Sequence, residues 1–375
     1  MTTQQGGRRR LLHAVVGITG LVKISLVVWV GLSWLEVRKV WPALDTPAVE
    51  PDPGPFIADG KGMAALEALV EVASELDRSG LKEAIKAGDT SAPLQVGPEE
   101  TRQAVEEALD ALLACDGLDI PPSDIQKRGR DGQELDLRHL RTAARLRLLR
   151  AEQRAAEGHD TAAAEDLTGV LRLGVLLQHS GGYIVSVVMG LAIQNDTLDV
   201  LERILDQRSL SPEAASVLAA GFEITDGLPS GVARGLVGEC GYQERLLHGF
   251  ASCSTEELFD DTVFDGPGCG EPGEKQGGGS WLFDVERTRA MLWQRCAEQY
   301  DAAREPVGSR DLSPRAVLLP RELDQPGVFF DNPVGRLLID MTIPLENILF
   351  EDWLVREDEV RGRLEQMRSR FASLR

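Results

Sequence analysis

The longest apolar stretch of the chain lies close to its N-terminus, at residues 11–35. A helix that spans a bilayer needs about 20 mostly apolar residues, and no other stretch of this sequence reaches that length. Trp29 and Trp34 lie near its C-terminal end, where indole rings favour the boundary between lipid and water. The pattern therefore predicts a transmembrane helix at 11–35, whose partner is the lipid bilayer.

The positive charges that flank this helix indicate its orientation. Three arginines at 8–10 precede it and only Arg38 and Lys39 follow closely, and basic residues favour the cytoplasmic side. We therefore expect a bacterial inner-membrane protein with a basic cytoplasmic tail at 1–10 and a periplasmic body. A cleaved signal peptide is the alternative, but the apolar run is too long for one and lacks small residues at a cleavage point.

Lys23 places a charge at the middle of the predicted membrane helix. A charge at that depth costs about 2.5–3.5 kcal/mol on insertion scales. One interpretation pairs Lys23 with an acidic residue on a membrane helix of a partner. The other, which we favour, has the side chain reach towards the interface while the surrounding apolar residues offset the cost.

Helical spacing of apolar residues dominates the rest of the chain. Prolines crowd 36–62, which predicts an extended spacer, and 63–375 is then expected to form one helical domain. The apolar core at 183–193 is too short to span a membrane and indicates a buried helix. Only 5% of residues are aromatic, which favours packed helices over sheets. Helices are expected at 63–76, 98–117, 135–157, 160–179, 183–206, 211–226, 229–250, 281–304, 332–341 and 345–374.

The sequence at 151–174, AEQRAAEGHDTAAAEDLTGVLRLG, has small residues on both sides of a glycine turn and then a leucine stripe. We expect one helix to end at Gly158 and the next to be capped by Asp160. This hairpin resembles the helix–turn–helix of tetratricopeptide units, but no 34-residue period accompanies it. The layout as a whole, from the anchor to a late DNPVGRLL segment, resembles the uncharacterised anchored helical proteins of Gram-negative envelopes. That resemblance implies an all-α fold and no known activity.

Four of the five cysteines fall in 57 residues around a Gly-, Pro- and Asp-rich insertion at 251–280. Four cysteines allow three pairings. If the flanking helices form a hairpin, the nested pairs Cys240–Cys296 and Cys253–Cys269 are expected, which would pin the long acidic loop. Disulfides require an oxidising compartment, in agreement with a periplasmic body. Zinc binding is the alternative, but no CxxC or Cys/His spacing supports it.

Catalytic motifs are missing from the sequence. It contains no GxSxG, HExxH or GxxxxGK[ST] pattern, so we predict no catalytic residues, no cofactor and no metal site. Glu239 and Glu244 occur on one predicted helix near Cys240 and are the candidates for an acid–base pair if the chain is an enzyme. His248 follows Glu244 by four residues, which favours an ordinary salt bridge instead.

The most distinctive charge pattern is a basic helix in an acidic chain of net charge −20. It holds six arginines within 17 residues and no acid between Asp136 and Glu152, the arginines being Arg138, Arg141, Arg145, Arg147, Arg150 and Arg154. These side chains are either a docking surface for an acidic partner or the intramolecular partners of an acidic helix at 99–110. We favour intramolecular pairing, because the chain has an excess of acids nearby.

Together these patterns predict a membrane-anchored periplasmic scaffold, or a protein-binding component of an envelope complex, without catalysis. Its partners would be other envelope proteins. The net negative charge argues against a nucleic-acid partner, since phosphates would repel it. The alternative is an envelope hydrolase that acts on cell wall or lipid through Glu239 and Glu244.

Overall fold

The computed structural model describes residues 60–76, 78–87, 97–118, 136–180, 184–225, 227–251, 285–305 and 333–372. Every regular element in these ranges is an α-helix, which confirms the all-α class. The anchor at 11–35, the spacer up to residue 59 and nearly all of the acidic insertion lie outside the described residues. The helices are α1 (Gly60–Ala73), α2 (Arg78–Ala87), α3 (Glu99–Leu113), α4 (Arg138–Ala156), α5 (Asp160–Gln178), α6 (Ile184–Gln207), α7 (Pro212–Glu223), α8 (Gly231–Ala251), α9 (Val285–Arg304) and α10 (Pro333–Ala372).

The chain divides into two compact units. The larger consists of 50–245, 296–312 and 347–375, and the smaller of 1–49, 246–295 and 313–346. In the smaller unit the structure describes the end of α8, the first half of α9 and the first part of α10. The contacts discussed below belong to the larger unit.

Helix α5 is the centre of the larger unit. It packs against α3, α4, α6 and α7, and its buried residues occupy most of its circumference, as expected for a helix enclosed on several sides. Helices α1, α2 and α3 each pack against α4, and α1 also packs against α3. Helix α2 is an element that the sequence pattern did not predict, and Leu81 and Ile85 are its buried hydrophobic residues among the side chains that the structure describes.

The helix ends on either side of α5 agree with their predicted capping residues at some positions and differ at one. Gly158 adopts a positive φ of 87°, which terminates α4 as expected for glycine. Ser211 caps α7 by accepting a hydrogen bond from Ala214 N at 3.2 Å. The expectation that Asp160 caps α5 is wrong, because His159 holds the cap position and makes no capping bond. The Asp160 carboxylate instead accepts from Ser211 N at 2.9 Å and so ties α5 to the start of α7.

Two glycines let α5 and α6 approach each other closely. A Cβ atom on Gly174 would lie 2.6 Å from Cγ of Gln194 and 2.9 Å from the carbonyl oxygen of Gly190. Gly190 is likewise blocked, since a Cβ there would meet the backbone N of Gln178 at 2.8 Å. The interface therefore has no room for a side chain at either position.

Helix α6 combines length with low polarity. By those two properties alone it would be able to cross a membrane, and it is the one such helix among the described residues. Its apolar window is 67% buried inside the protein, which agrees with the interpretation of 183–193 as part of a core helix. The finding does not bear on 11–35.

The last helix differs from its prediction. Pro344 was expected to separate a helix at 332–341 from another at 345–374, but the backbone is helical continuously over Pro333–Ala372. A proline inside a helix removes one hydrogen bond and crowds the preceding turn, and a helix can continue past it with a kink. The terminal part is anchored by the buried side chains of Leu354, Val360, Leu364, Met367 and Phe371.

Substitution Gly174→Ala is expected to lower the free energy of unfolding by about 1–3 kcal/mol, because the added methyl group forces α5 and α6 apart. Gly362→Ala is the matched control: it is also a helical glycine, but an added Cβ meets nothing within 4 Å. The control is expected to raise stability by up to about 1 kcal/mol through helix propensity. Urea unfolding of both variants measures the difference, and equal effects would contradict close packing at Gly174.

Candidate functional site

The arginines of α4 lie in a network of ion pairs within the larger unit. Asp166 on α5 is buried and accepts hydrogen bonds from Arg150 Nε at 3.0 Å and from Arg154 Nη1 at 2.8 Å. Arg147, whose side chain is 5% exposed, donates from Nε to Glu106 at 2.8 Å and also contacts Asp110. Charges on three helices are thereby joined, and each buried carboxylate faces a guanidinium.

A second carboxylate pairs with arginines in the N-terminal half of α4. Asp196 on α6 receives a bidentate pair from Arg141, at 2.8 Å for each bond, and a further bond from Arg145 Nε at 3.1 Å. Arg138 turns back to Asp136 instead, and its hydrogen bond lowers the pKa of that carboxyl to about 2. Arg138 is itself mostly exposed, with 72% of its side chain accessible.

These contacts favour the intramolecular interpretation of the basic helix. Glu106 and Asp110 of the acidic helix are partners, as expected, whereas Asp166 and Asp196 were not anticipated. A partner would have to compete with these carboxylates for the guanidinium groups. The suggested docking role of Arg138, Arg141, Arg145, Arg150 and Arg154 stays a prediction.

A buried polar cluster lies at the start of α8 and is centred on Glu357 of α10, whose side chain is 4% exposed. The Glu357 carboxylate accepts from the backbone N of Gly231 at 2.7 Å and from the Ser230 hydroxyl at 2.5 Å. Gln178 Nε2 donates to it as well, at 2.6 Å. The free N–H groups and the dipole at a helix N-terminus favour a negative charge, so Glu357 is stabilised where it is buried.

The carboxylate also fixes the orientation of two buried amides. Glu357 only accepts when ionised, so Gln178 must present its NH2 group to it. The remaining oxygen of Gln178 then accepts from Gln194 Nε2 at 2.7 Å. Three elements, α5, α6 and α10, are thus linked through one chain of hydrogen bonds.

His179 lies beside this chain and is 3% exposed. Its Nδ1 atom is 3.4 Å from Arg234 Nη1, and because a guanidinium only donates, Nδ1 is the acceptor. Burial, together with the charges of Arg234 and Arg361, lowers the pKa of His179 to about 4. The ring is therefore neutral at pH 7, with its proton on Nε2.

These polar groups form part of the wall of a cavity of about 360 Å³. Its size is within the range of small-molecule pockets, roughly 300–1,000 Å³. The buried polar residues of the wall are Gln178, His179, Gln194 and Glu357. Its exposed charged residues belong to α10 and are Arg361, Glu365 and Arg368. The apolar part of the wall consists of Val175, Leu191, Leu228, Pro229, Val360 and Leu364.

The two glutamates proposed for an acid–base pair do not belong to this cavity. Burial raises the pKa of Glu239 from 4.5 to about 7, and its Oε2 atom makes no hydrogen bond. Glu244 follows five residues later on α8, a separation that turns it to a different face of the helix. The structure therefore does not bring Glu239 and Glu244 together.

The disulfide Cys240–Cys296 is present and joins α8 to α9, with a Cα–Cα distance of 6.4 Å. This pair of the nested arrangement is confirmed, whereas Cys253 and Cys269 lie outside the described residues. Cys115 is a free thiol of intermediate exposure. The predicted membrane residues Lys23, Trp29 and Trp34 are likewise outside the described part of the chain. In that part, no group of three or more His, Cys, Asp or Glu is placed to hold a metal ion.

Comparison of the chain with protein-family models, with curated proteins and with solved structures finds no match. Function must therefore be argued from the residues of the site.

The residues of the buried cluster were not among the sequence candidates. A usable signal existed for Gln178 and Gln194, since each is a polar residue at a core position of an apolar helix. No such signal existed for Glu357, which lies in a charged helix and is 179 residues away from Gln178. Its role depends on a contact that helix periodicity does not encode.

Substitution Asp166→Asn is expected to cost about 2–4 kcal/mol of stability, because two guanidiniums lose their shared anion at a buried position. Arg150 and Arg154 retain some access to water, at 30% and 35% exposure, which keeps the loss below that of a fully buried pair. Asp199→Asn is the control: Asp199 also pairs with an arginine, Arg363, but is 46% exposed. Its expected cost is below about 1 kcal/mol. Similar losses in urea unfolding would show that burial does not govern this network.

Glu239→Gln is expected to stabilise the protein at high pH. The folded pKa of Glu239 lies above its ordinary value, so the protonated form favours folding below pH 4.5, and this contribution is lost as the pH rises through about 7. The neutral amide removes that dependence. Above pH 7 the free energy of unfolding of the variant should be about 1–3 kcal/mol higher than that of the unsubstituted protein. Near pH 4 the two free energies of unfolding should be equal. A pH-independent difference would contradict the burial of a titrating carboxyl.

Proposed function

We propose that this chain is a membrane-anchored protein of a bacterial envelope whose helical body lies outside the cytoplasm and binds another envelope component without catalysing a reaction. The observation that carries the proposal is the Cys240–Cys296 disulfide. Disulfides persist in oxidising compartments and are rare in the bacterial cytoplasm. The apolar run at 11–35 and the arginines before it supply the anchor and its direction.

Binding is favoured over catalysis by the way the body uses its charged groups. The buried carboxylates Asp166, Asp196 and Glu357, and every arginine of α4 except Arg138, serve contacts between helices of the larger unit. Such groups make a helical body rigid and preorganised, which suits a binding protein. The cavity adds a concave surface whose polar lining is held in place by the same contacts.

The alternative, an envelope hydrolase, is favoured by one observation. A carboxyl with a pKa near 7 is suited to general acid–base catalysis, and Glu239 has that property. A hydrolase of this kind requires that Glu239→Gln abolish hydrolysis of cell-wall or lipid substrates by the purified chain. Unchanged hydrolysis in that variant, or none in the unsubstituted protein, would exclude it.

The location of the body is testable with a membrane-impermeant thiol reagent on intact cells. Cys115 is a free thiol and would react by itself, so the test uses a variant with Cys115, Cys253 and Cys269 changed to Ser. The two remaining cysteines, Cys240 and Cys296, are expected to react only after a reductant is added. Reaction only after lysis would place the body in the cytoplasm and contradict the proposal. A variant that lacks all five cysteines gives the background.

The binding half of the proposal is tested by crosslinking in cells followed by affinity capture. The full chain is compared with a shortened chain that keeps 1–59 and therefore retains the anchor and spacer. We expect envelope proteins that are captured with the full chain and lost with the shortened one. An unchanged set of captured proteins would show that the body binds none of them.

A further inference from the structure

Two polar atoms of buried residues that line the cavity have no hydrogen-bond partner among the described residues. The first is Oε1 of Gln194, a residue that is 2% exposed. Its amide is oriented by the chain of bonds that ends at Glu357, so Nε2 donates to Gln178 and the oxygen is left over. This oxygen is therefore available to accept a hydrogen bond from a ligand in the cavity.

The second atom is Nε2 of His179. Because Nδ1 faces the guanidinium of Arg234, the neutral ring carries its proton on Nε2. That N–H group has no acceptor in the described part of the chain. The cavity is thus lined by residues that offer one unused acceptor and one unused donor. A secondary amide, which has both an N–H and a C=O group, matches this pair.

The exposed part of the cavity wall offers a positive charge. The guanidinium of Arg361 is 3.9 Å from Glu357 Oε1, beyond hydrogen-bond distance, and its side chain is 49% exposed. Glu357 already accepts from Gly231, Ser230 and Gln178, so it makes little demand on Arg361. Glu365 and Arg368 line the same part of the cavity. A guanidinium placed in this way is suited to a carboxylate.

We propose that this cavity is a binding site for a small molecule with a secondary amide, an apolar group and a carboxylate, the chemistry found at the C-terminal end of a short peptide. The amide N–H donates to Gln194 Oε1, and the amide oxygen accepts from His179 Nε2. The carboxylate pairs with Arg361. The apolar group packs against the aliphatic part of the wall, which includes Leu191 and Leu364.

The experiment measures binding of N-acetyl-L-leucine to the full-length chain in lipid nanodiscs by isothermal titration calorimetry. Two analogues each lack one feature: the methyl ester of N-acetyl-L-leucine lacks the carboxylate charge, and 4-methylpentanoate lacks the amide. We expect saturable binding of N-acetyl-L-leucine at one site and about tenfold weaker binding of each analogue. No saturable binding of N-acetyl-L-leucine, or equal affinity for all three compounds, would overturn the proposal.

Two arginine variants assign the carboxylate contact. Arg361→Gln should weaken binding of N-acetyl-L-leucine by about tenfold and leave binding of its methyl ester unchanged. Arg356→Gln is the matched control, because it removes the same charge from an exposed position of α10 that does not line the cavity. Equal binding by the two variants would contradict the role of Arg361.

A third variant tests the amide contact. Gln194→Met keeps the length of the side chain and removes its amide. This substitution should weaken the binding of N-acetyl-L-leucine more than the binding of 4-methylpentanoate. Should this variant fail to fold, the comparison of the two ligands on the unsubstituted protein decides the same point. All of these measurements use purified protein, so their outcome is separate from the location of the body in the cell.

Discussion

The buried carboxylate of Glu357 links the helices whose residues line the cavity. Glu357 joins α10 to the first residues of α8 and, through Gln178, to α5 and α6. A charge in such a place is tolerated only because donors surround it, and the same donors determine which way each amide must point. The buried charge of Glu357 therefore determines which hydrogen-bonding groups Gln178 and Gln194 present at the cavity wall.

The arginines of α4 likewise surround buried carboxylates with hydrogen-bond donors, and they do so at several positions. Each buried carboxylate that these arginines contact on a neighbouring helix is matched by at least one guanidinium, and Arg147 and Arg150 each pair with more than one acid. Pairs of this kind add less to stability than an apolar core would, but removing one partner is costly. They therefore favour particular helix neighbours for α4, while the buried leucines of α5 contribute to the apolar core.

Much of the fold could be predicted, because its signals are local. Gly158 ends a helix through its own backbone freedom, Ser211 caps one through its own hydroxyl, and Cys240 and Cys296 lie on the two sides of an insertion. The errors arose where a neighbour decides the outcome. The helix at Arg78–Ala87 depends on α4 for its burial, and the partners Asp166, Asp196 and Glu357 become visible only when distant helices meet.

Two buried titrating groups in the larger unit respond to acid in opposite directions. Protonation of Glu239 favours the folded state between about pH 4.5 and 7, whereas protonation of His179 opposes it between about pH 6.5 and 4. Over the shared interval one contribution rises as the other falls. The contributions of these two groups to folding stability therefore oppose each other in moderately acidic surroundings.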